Sequence, residues 1–403
     1  MRLFLLLAAI ALTRPASAQS ITIDELVARA NESPLVALAE ADVQDADALM
    51  RGDRALFPSN PTVSLGLGQR LPGGGLEVQA QLQQPLEIAG QRGRRRAAAS
   101  RRMDLARGSQ SRTRWQVQTE VRRLAFVALL GVQRIDVAER SLAVAERVRT
   151  AAVRRVETGE ASPLEVLVAD SDLVHAQQAE VRARQLERDA RVQLAGLVGW
   201  ESEAVPPIEG SLPPVQSPPS LRELLVALTE SPDLRVRQLA VRAARAGLDA
   251  ADRAAWPNPS LGLYYGREGD ETQVAHVWLV TLGVQLPLWR RNDRARAQAH
   301  ADVFRSEREQ DAAVVALRTG MARLHVELES AAARVALFQA TGLESAAENL
   351  TRTERAFELG ELSLLEVSQT RQRLLRVVEE EIEARADYYE VAMRLQKLLG
   401  REL

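Results

Sequence analysis

Apolar residues recur at spacings of three and four through two long stretches of the chain. Between about Ile88 and Glu157 there is no proline, and Val117, Val121, Leu124, Val127 or Ala128, Val132 and Ile135 mark one side of a helix. That helix would hold about 70 residues and run roughly 105 Å at 1.5 Å per residue. A second proline-free stretch, about Asn292 to Leu359, is nearly as long, and helices of this length belong to coiled coils or rods. Shorter helices are predicted at about 24–55, 163–199, 220–255 and 363–400. Within each half of the chain the two short helices together approach the length of the long one, which suggests that they stack end to end, antiparallel to it, in a tall cylinder wall.

A different period appears between the helices. Pro61 to Arg70, Leu76 to Leu86, Pro259 to Arg267 and Val277 to Leu288 alternate as strands do. One parity is mostly apolar, as in Leu76, Val78, Ala80 and Leu82, and again in Val277, Leu279, Thr281 and Gly283. About ten residues is the length of a tilted strand across a bilayer. The connecting segments Leu71 to Gly75 and Glu268 to His276 are polar or glycine-rich loops.

The chain states this pattern twice. VETGEASPLEVL (Val156 to Leu167) answers FELGELSLLEVS (Phe357 to Ser368), with Gly159 and Gly360 separated by 201 residues, and LAGLVG from Leu194 answers LQKLLG from Leu395 at the same offset. Upstream, DELVARANESPLV from Asp24 answers RELLVALTESPDL from Arg222. FPSNPTVSLGLG from Phe57 answers WPNPSLGLYYG from Trp256, and QPLEIAGQRGRRRA from Gln84 answers LPLWRRNDRARA from Leu286. A large unit has been duplicated, which a short solenoid repeat does not explain. The expected organisation is a first repeat over 19–204, a proline-rich connector over 205–220 and a second repeat over 221–403. The connector, VPPIEGSLPPVQSPPS, is read as an ordered strap in preference to a mobile linker, because half a cylinder wall cannot bury its helices alone.

Composition narrows the setting. An early arginine, an apolar run from Leu3 to Leu12 and Ala16-Ser17-Ala18 form a secretory signal peptide over residues 1–18. The run is too short to span a bilayer, which takes about 20 residues. The 403 residues include no cysteine, so neither disulfides nor an N-terminal lipid acceptor is expected. A formal net charge of −2 gives no general attraction to nucleic acid. Outside the first residues no apolar run approaches a spanning helix, so entry into a membrane would have to use strands.

The duplicated helix, hairpin, long helix, turn, helix arrangement resembles the TolC family of outer-membrane efflux channels, over essentially the whole chain after the signal peptide. The most specific motifs are the paired turns at Gly159 and Gly360 and the paired NP segments at Asn60 and Asn258. The resemblance implies a mainly α fold with a small β part. It implies a homotrimer in which four strands per chain make a twelve-stranded β-barrel and the helices make a periplasmic α-barrel tunnel. It also implies a location in the outer membrane of a Gram-negative bacterium, and partnership with a periplasmic adaptor and an inner-membrane pump of the resistance-nodulation-division type. The short chain and compact turns look closest to the branch serving cobalt, zinc, cadmium or copper pumps. Drug efflux and protein secretion by the same kind of channel, and a soluble periplasmic scaffold or adaptor, are the alternatives.

By that resemblance the adaptor-docking tip maps onto Gly159, Glu160, Ala161, Ser162, Pro163 and Leu164, and onto Gly360, Glu361, Leu362, Ser363, Leu364 and Leu365. These residues also make sense as turns alone. Each glycine would end a helix in the left-handed region, and Ser162 and Ser363 would cap the next helix in a capping box with Glu165 or Glu366. Glu344, Glu348, Glu354 and Glu358, with Glu157, are candidates for acidic rings at the aperture, or for solvated faces and i,i+4 pairs with arginine. Trp256, Tyr264, Tyr265, Trp278 and Trp289 would sit at headgroup level, or cap a soluble hairpin core. The basic runs Arg92, Arg94, Arg95, Arg96 and Arg290, Arg291, Arg294, Arg296 are read as lipid-headgroup contacts or as solvated helix starts. His175, His276, His300 and His325 share no ligand spacing. No metal site, cofactor or catalytic grouping is expected.

Overall fold

The computed structural model describes residues 20–53, 55–69, 75–201, 203–269, 273–341, 352–353, 355–356, 359 and 361–403. The signal peptide and the tip residue Gly360 lie outside these residues, as do the aperture candidates Glu344, Glu348, Glu354 and Glu358 and most of the loop at Leu71 to Gly75. Helices dominate: α1 (Ile23–Arg29), α2 (Pro34–Gly52), α3 (Gln91–Glu157), α4 (Pro163–Val198), α5 (Leu221–Ala227), α6 (Pro232–Arg253), α7 (Asp293–Thr341) and α8 (Leu364–Leu399). Two two-residue strands, β1 (Ile21–Thr22) and β4 (Ile208–Glu209), pair in parallel. The remaining strands are β2 (Thr62–Gln69), β3 (Leu76–Pro85), β5 (Pro259–Gly269) and β6 (Val274–Val284).

The helices predicted at 24–55 and 220–255 are each broken in two. A short 3₁₀ turn, Ala30–Glu32 or Leu228–Glu230, separates them, because Pro34 and Pro232 have no N–H to continue the ladder and push the preceding serine out of the helical region. Both breaks follow a complete capping box, Thr22 with Glu25 and Ser220 with Glu223. The duplication is therefore preserved down to the caps.

The chain forms two compact units, and each draws segments from both repeats. The first extends to Pro34 and takes in Gln116–Pro218 and Leu324–Leu395. Its packing uses small residues at heptad spacing: Ala169, Ala176, Ala183 and Ala190 of α4 are all buried. Small side chains let backbones approach, and a Cβ placed on Gly131 of α3 would stand 3.1 Å from the Glu187 Cα of α4. The connector is ordered. Val205 and Ile208 are buried, Gln216 N donates to the Tyr388 hydroxyl at 3.0 Å, and Tyr389 donates to the Pro213 carbonyl.

The second unit comprises Leu35–Trp115, Pro219–Arg323 and Gln396–Leu403. It holds a four-stranded sheet of order β2-β3-β5-β6, antiparallel throughout. In its helical part, ion pairs tie α6 to α7 through Arg237 and Glu309, Arg245 and Glu307, and Asp252 and Arg296.

Each repeat ends on a left-handed glycine, Gly199 (φ 67°) or Gly400 (φ 75°), set against the proline that opens α2 or α6. An added Cβ would meet Pro34 Cδ at 3.5 Å in the first case and Pro232 Cγ and Cδ at 2.4 Å in the second. Gly199→Ala is expected to cost roughly 1–2 kcal/mol for the left-handed backbone, and Gly400→Ala roughly 1–3 kcal/mol more for overpacking. Thermal melting of the two variants should rank them in that order, and equal shifts would contradict the packing at Pro232.

Candidate functional site

Two regions carry the candidate residues. In the sheet, residues opposite one another in an antiparallel register project to the same face. The register pairs Val63, Leu65 and Leu67 with Leu82, Ala80 and Val78, and these in turn with Leu263, Tyr265 and Arg267. Leu263, Tyr265 and Arg267 then pair with Val280, Trp278 and His276. Apart from Arg267 and His276 at one end, this face is apolar across all four strands, and it is largely exposed, with Leu65, Leu67 and Val280 each more than 75% accessible. Exposed apolar area of this extent is not left to water in a stable soluble protein.

The opposite face carries Thr62, Ser64, Gly66 and Gly68, then Gln79, Gln81 and Gln83, then Ser260, Gly262, Tyr264 and Gly266. Gln83 Nε2 donates to Ser260 Oγ at 2.6 Å there. Segregation by face, with strands of 8 to 11 residues, is what a strand between lipid and a wet interior requires.

The register corrects two expectations. In β6 the parity sharing the apolar face is Trp278, Val280, Leu282 and Val284, whereas Val277, Leu279, Thr281 and Gly283 look toward the glutamines and glycines. Likewise Tyr264 lies on the polar face, and Tyr265 is the tyrosine of the apolar one. Its ring is 4.8 Å from that of Trp278, and its hydroxyl is 2.9 Å from His276 Nδ1. Gln69, Arg267 and His276 stand on the apolar face at the hairpin-loop end. Beyond the other end, exposed Trp256 and Trp289 border an open cleft of about 620 Å³ with Leu286, Leu288 and Arg290.

Several of the basic residues are already committed. Arg94 pairs with Asp249 at 3.0 Å, Arg95 with Glu87 and with Asp53, and Arg296 with Asp252. Their carboxylate partners, Asp249, Glu87, Asp53 and Asp252, supply the negative charge that the positive dipole ends at the starts of α3 and α7 favour.

The second region is the pair of helix turns in the first unit. Gly159 adopts φ 77°, and Glu160 N bonds back to Arg155 O at 2.8 Å, a Schellman closure. Glu361 N makes the equivalent bond to Ala356 O at 2.9 Å. Ser162 caps α4 by accepting from Leu164 N, and Pro163 takes the first helical position. Glu165 does not complete the expected capping box, since it faces Arg155 at 3.7 Å. In α8 the box is complete: Ser363 N donates to Glu366 Oε2 at 2.9 Å, and Glu366 N donates to Ser363 Oγ at 3.4 Å. The Ser363 backbone N–H first, and then its hydroxyl, which donates to the same carboxylate at 2.8 Å, hold the Glu366 carboxyl below its usual range.

Behind the turns the two repeats share a core of Val144, Val148, Ala152, Ala169 and Val367, on which Leu362 packs. Leu164 is 64% exposed. Above this core lies a buried cluster with no counterpart in the sequence reading. Asp172 of α4 accepts from Ser368 Oγ at 2.5 Å and faces Arg371 at 3.2 Å, with both side chains at most 10% exposed. Neither lies on a motif, and only tertiary packing brings them together.

Among the described residues no three His, Cys, Asp or Glu side chains gather as a metal-binding group. No described helix is long and apolar enough to cross a membrane.

Comparison with known proteins agrees with this geometry. A family profile described as outer membrane efflux protein matches residues 27–200 and again 225–401. The cobalt-zinc-cadmium resistance protein CzcC of Cupriavidus metallidurans is 24% identical over 327 residues, which cover 80% of this chain and 77% of CzcC. The nickel-cobalt-cadmium resistance protein NccC of Alcaligenes xylosoxydans xylosoxydans is 28% identical over 292 residues, covering 68% of this chain and 64% of NccC. Among solved structures, CusC, described in terms of folding and transmembrane channel formation, superposes with a TM-score of 0.73 at 18% identity, covering 97% of this chain and 96% of that one.

Proposed function

Because the chain belongs to the outer membrane efflux protein family, we propose that it is the outer-membrane channel of a three-part efflux system, a passive exit duct for heavy-metal cations. The observation that carries this reading is the sheet, apolar on one face, polar and glycine-rich on the other. Closed membrane barrels begin at about eight strands, so the barrel is shared between copies. An even number of strands per chain lets β6 of one copy meet β2 of the next antiparallel, and three copies give the twelve-stranded barrel of the TolC resemblance. The helices then extend into the periplasm of a Gram-negative cell.

Metal cations are the favoured cargo because the relatives CzcC and NccC are named for resistance to cobalt, zinc, cadmium and nickel. The turn at Gly159–Leu164, with its partner at residues 360–365, is assigned to docking of a periplasmic adaptor that links the duct to an inner-membrane resistance-nodulation-division pump. Exposed Leu164 supports that assignment. Glu344, Glu348, Glu354 and Glu358 are assigned to the aperture above it.

The test is growth of a deletion strain across zinc, cobalt, cadmium, nickel, copper and a panel of lipophilic drugs. Sensitivity confined to metals is expected, with tolerance restored by the wild-type chain and not by Leu164→Asp at equal membrane level. Sensitivity to drugs alone, or to nothing, would overturn the metal cargo, and full rescue by Leu164→Asp would remove the docking role.

A further inference from the structure

The apolar face of the sheet ends in a pair of basic side chains. Arg267 of β5 and His276 of β6 are register partners, so they stand directly opposite one another and project to the same face as Leu263, Tyr265, Trp278 and Val280. From Pro259 to Arg267, β5 runs roughly 27 Å at about 3.4 Å per residue. The pair therefore lies at the border of an apolar band about 25 Å tall, where a charge on the lipid face is tolerated, and not at its middle, where it would be destabilising.

The two side chains are arranged for an anion from outside the protein. On this face Arg267 has Val78 on one side and His276 on the other, so neither cross-strand neighbour is an acid. His276 is exposed, and its Nδ1 lies 2.9 Å from the Tyr265 hydroxyl. A hydroxyl that donates to Nδ1 leaves the proton of a neutral imidazole on Nε2, the nitrogen turned away from the tyrosine. The Tyr265 ring stacks on His276 with centroids 5.9 Å apart and packs on Trp278 at 4.8 Å, so the imidazole is held in place from two directions. Basic groups directly opposite one another repel when both are charged. A phosphate between them replaces that repulsion with charge-assisted hydrogen bonds, of which the guanidinium supplies a forked pair.

Toward the middle of the sheet, Leu65, Leu67, Leu263 and Val280 form an exposed apolar bed on the same face. A ligand that fits both parts carries a phosphate above acyl chains. The neighbouring helices α6 and α7 adjoin the opposite end of the sheet, at Pro259 and Val284, so in an outer-membrane channel with periplasmic helices the hairpin end faces the cell surface. The outer leaflet there is made of lipopolysaccharide, whose lipid A is a phosphorylated, multiply acylated glycolipid. We propose that Arg267 and His276 bind a phosphate of lipid A, with its acyl chains laid on the apolar face of the sheet. The proposal rests on the outer-membrane reading above and adds the class of lipid that the outward end of the sheet selects.

The full chain is extracted from membranes in mild detergent, stripped of lipid and given bisphosphorylated lipid A, the same lipid with both phosphates removed, or phosphatidylglycerol, and bound lipid is counted by native mass spectrometry. Bisphosphorylated lipid A should bind best. Its binding should fall at least about tenfold in Arg267→Gln/His276→Gln, the effect of losing one charge-assisted hydrogen bond. Equal binding with and without the phosphates, or undiminished binding by the double variant, would overturn the site, and equal binding of phosphatidylglycerol would overturn lipid A as its occupant. Should the double variant fail to assemble, the wild-type chain decides alone: lipid A should raise its melting temperature more than the dephosphorylated lipid does, and equal shifts would overturn the proposal. Recovery of the chain in the soluble or inner-membrane fraction would instead overturn the outer-membrane reading on which the proposal rests.

Discussion

Replacing Arg371 with alanine is expected to destabilise the first unit by about 3–5 kcal/mol, because it leaves the Asp172 carboxylate buried without its cation. The pair is 3.2 Å apart, and Ser368 adds a 2.5 Å hydrogen bond to the same carboxylate oxygen. Removing both partners, as in Asp172→Ala with Arg371→Ala, should recover much of the loss, since no uncompensated charge remains. Hydrogen exchange reads this locally. Amides around residues 169–173 and 368–372 should exchange roughly a hundred to several thousand times faster in Arg371→Ala and much less so in the double variant. Equal acceleration in both would mean that packing, not charge, holds α4 to α8.

The second large effect separates the two faces of the sheet. Val280→Arg places a charge on the apolar face in the middle of β6 and should cost about 2–4 kcal/mol in a bilayer, whereas on the lumen side a charge is tolerated. Thr281→Arg, one residue on, points to the glutamine face and should assemble normally. Yield of folded oligomer from membranes tests the contrast. If both variants assemble equally well, the apolar face does not meet lipid.

Much of the architecture was legible because long helices and a large duplication leave strong periodic signals. The predicted stretch Ile88 to Glu157 differs from α3 by three residues at one end, and the paired glycine turns coincide with observed helix ends where they are described. The breaks at Pro34 and Pro232 were readable too, from Ser-Pro after an apolar run and from the T-x-x-E and S-x-x-E boxes before it, but helical periodicity on both sides masked them. The face of β6 was not readable in isolation. Both parities of that strand are rich in apolar residues, and only pairing to β5 decides between Leu279 and Val280, or between Tyr264 and Tyr265. The Asp172 and Arg371 cluster was hidden for a related reason. Charges on long helices are commonly solvated, and burial of these two depends on a helix packing from the other repeat.

The most direct test of a membrane-spanning, shared barrel is single-cysteine scanning of β3 in proteoliposomes, probed with a water-soluble, membrane-impermeant maleimide. The face assignment predicts alternation: cysteines at Gln79, Gln81 and Gln83 react, while those at Val78, Ala80 and Leu82 are protected by lipid. Uniform reactivity along the strand, or protection in the opposite phase, would contradict it.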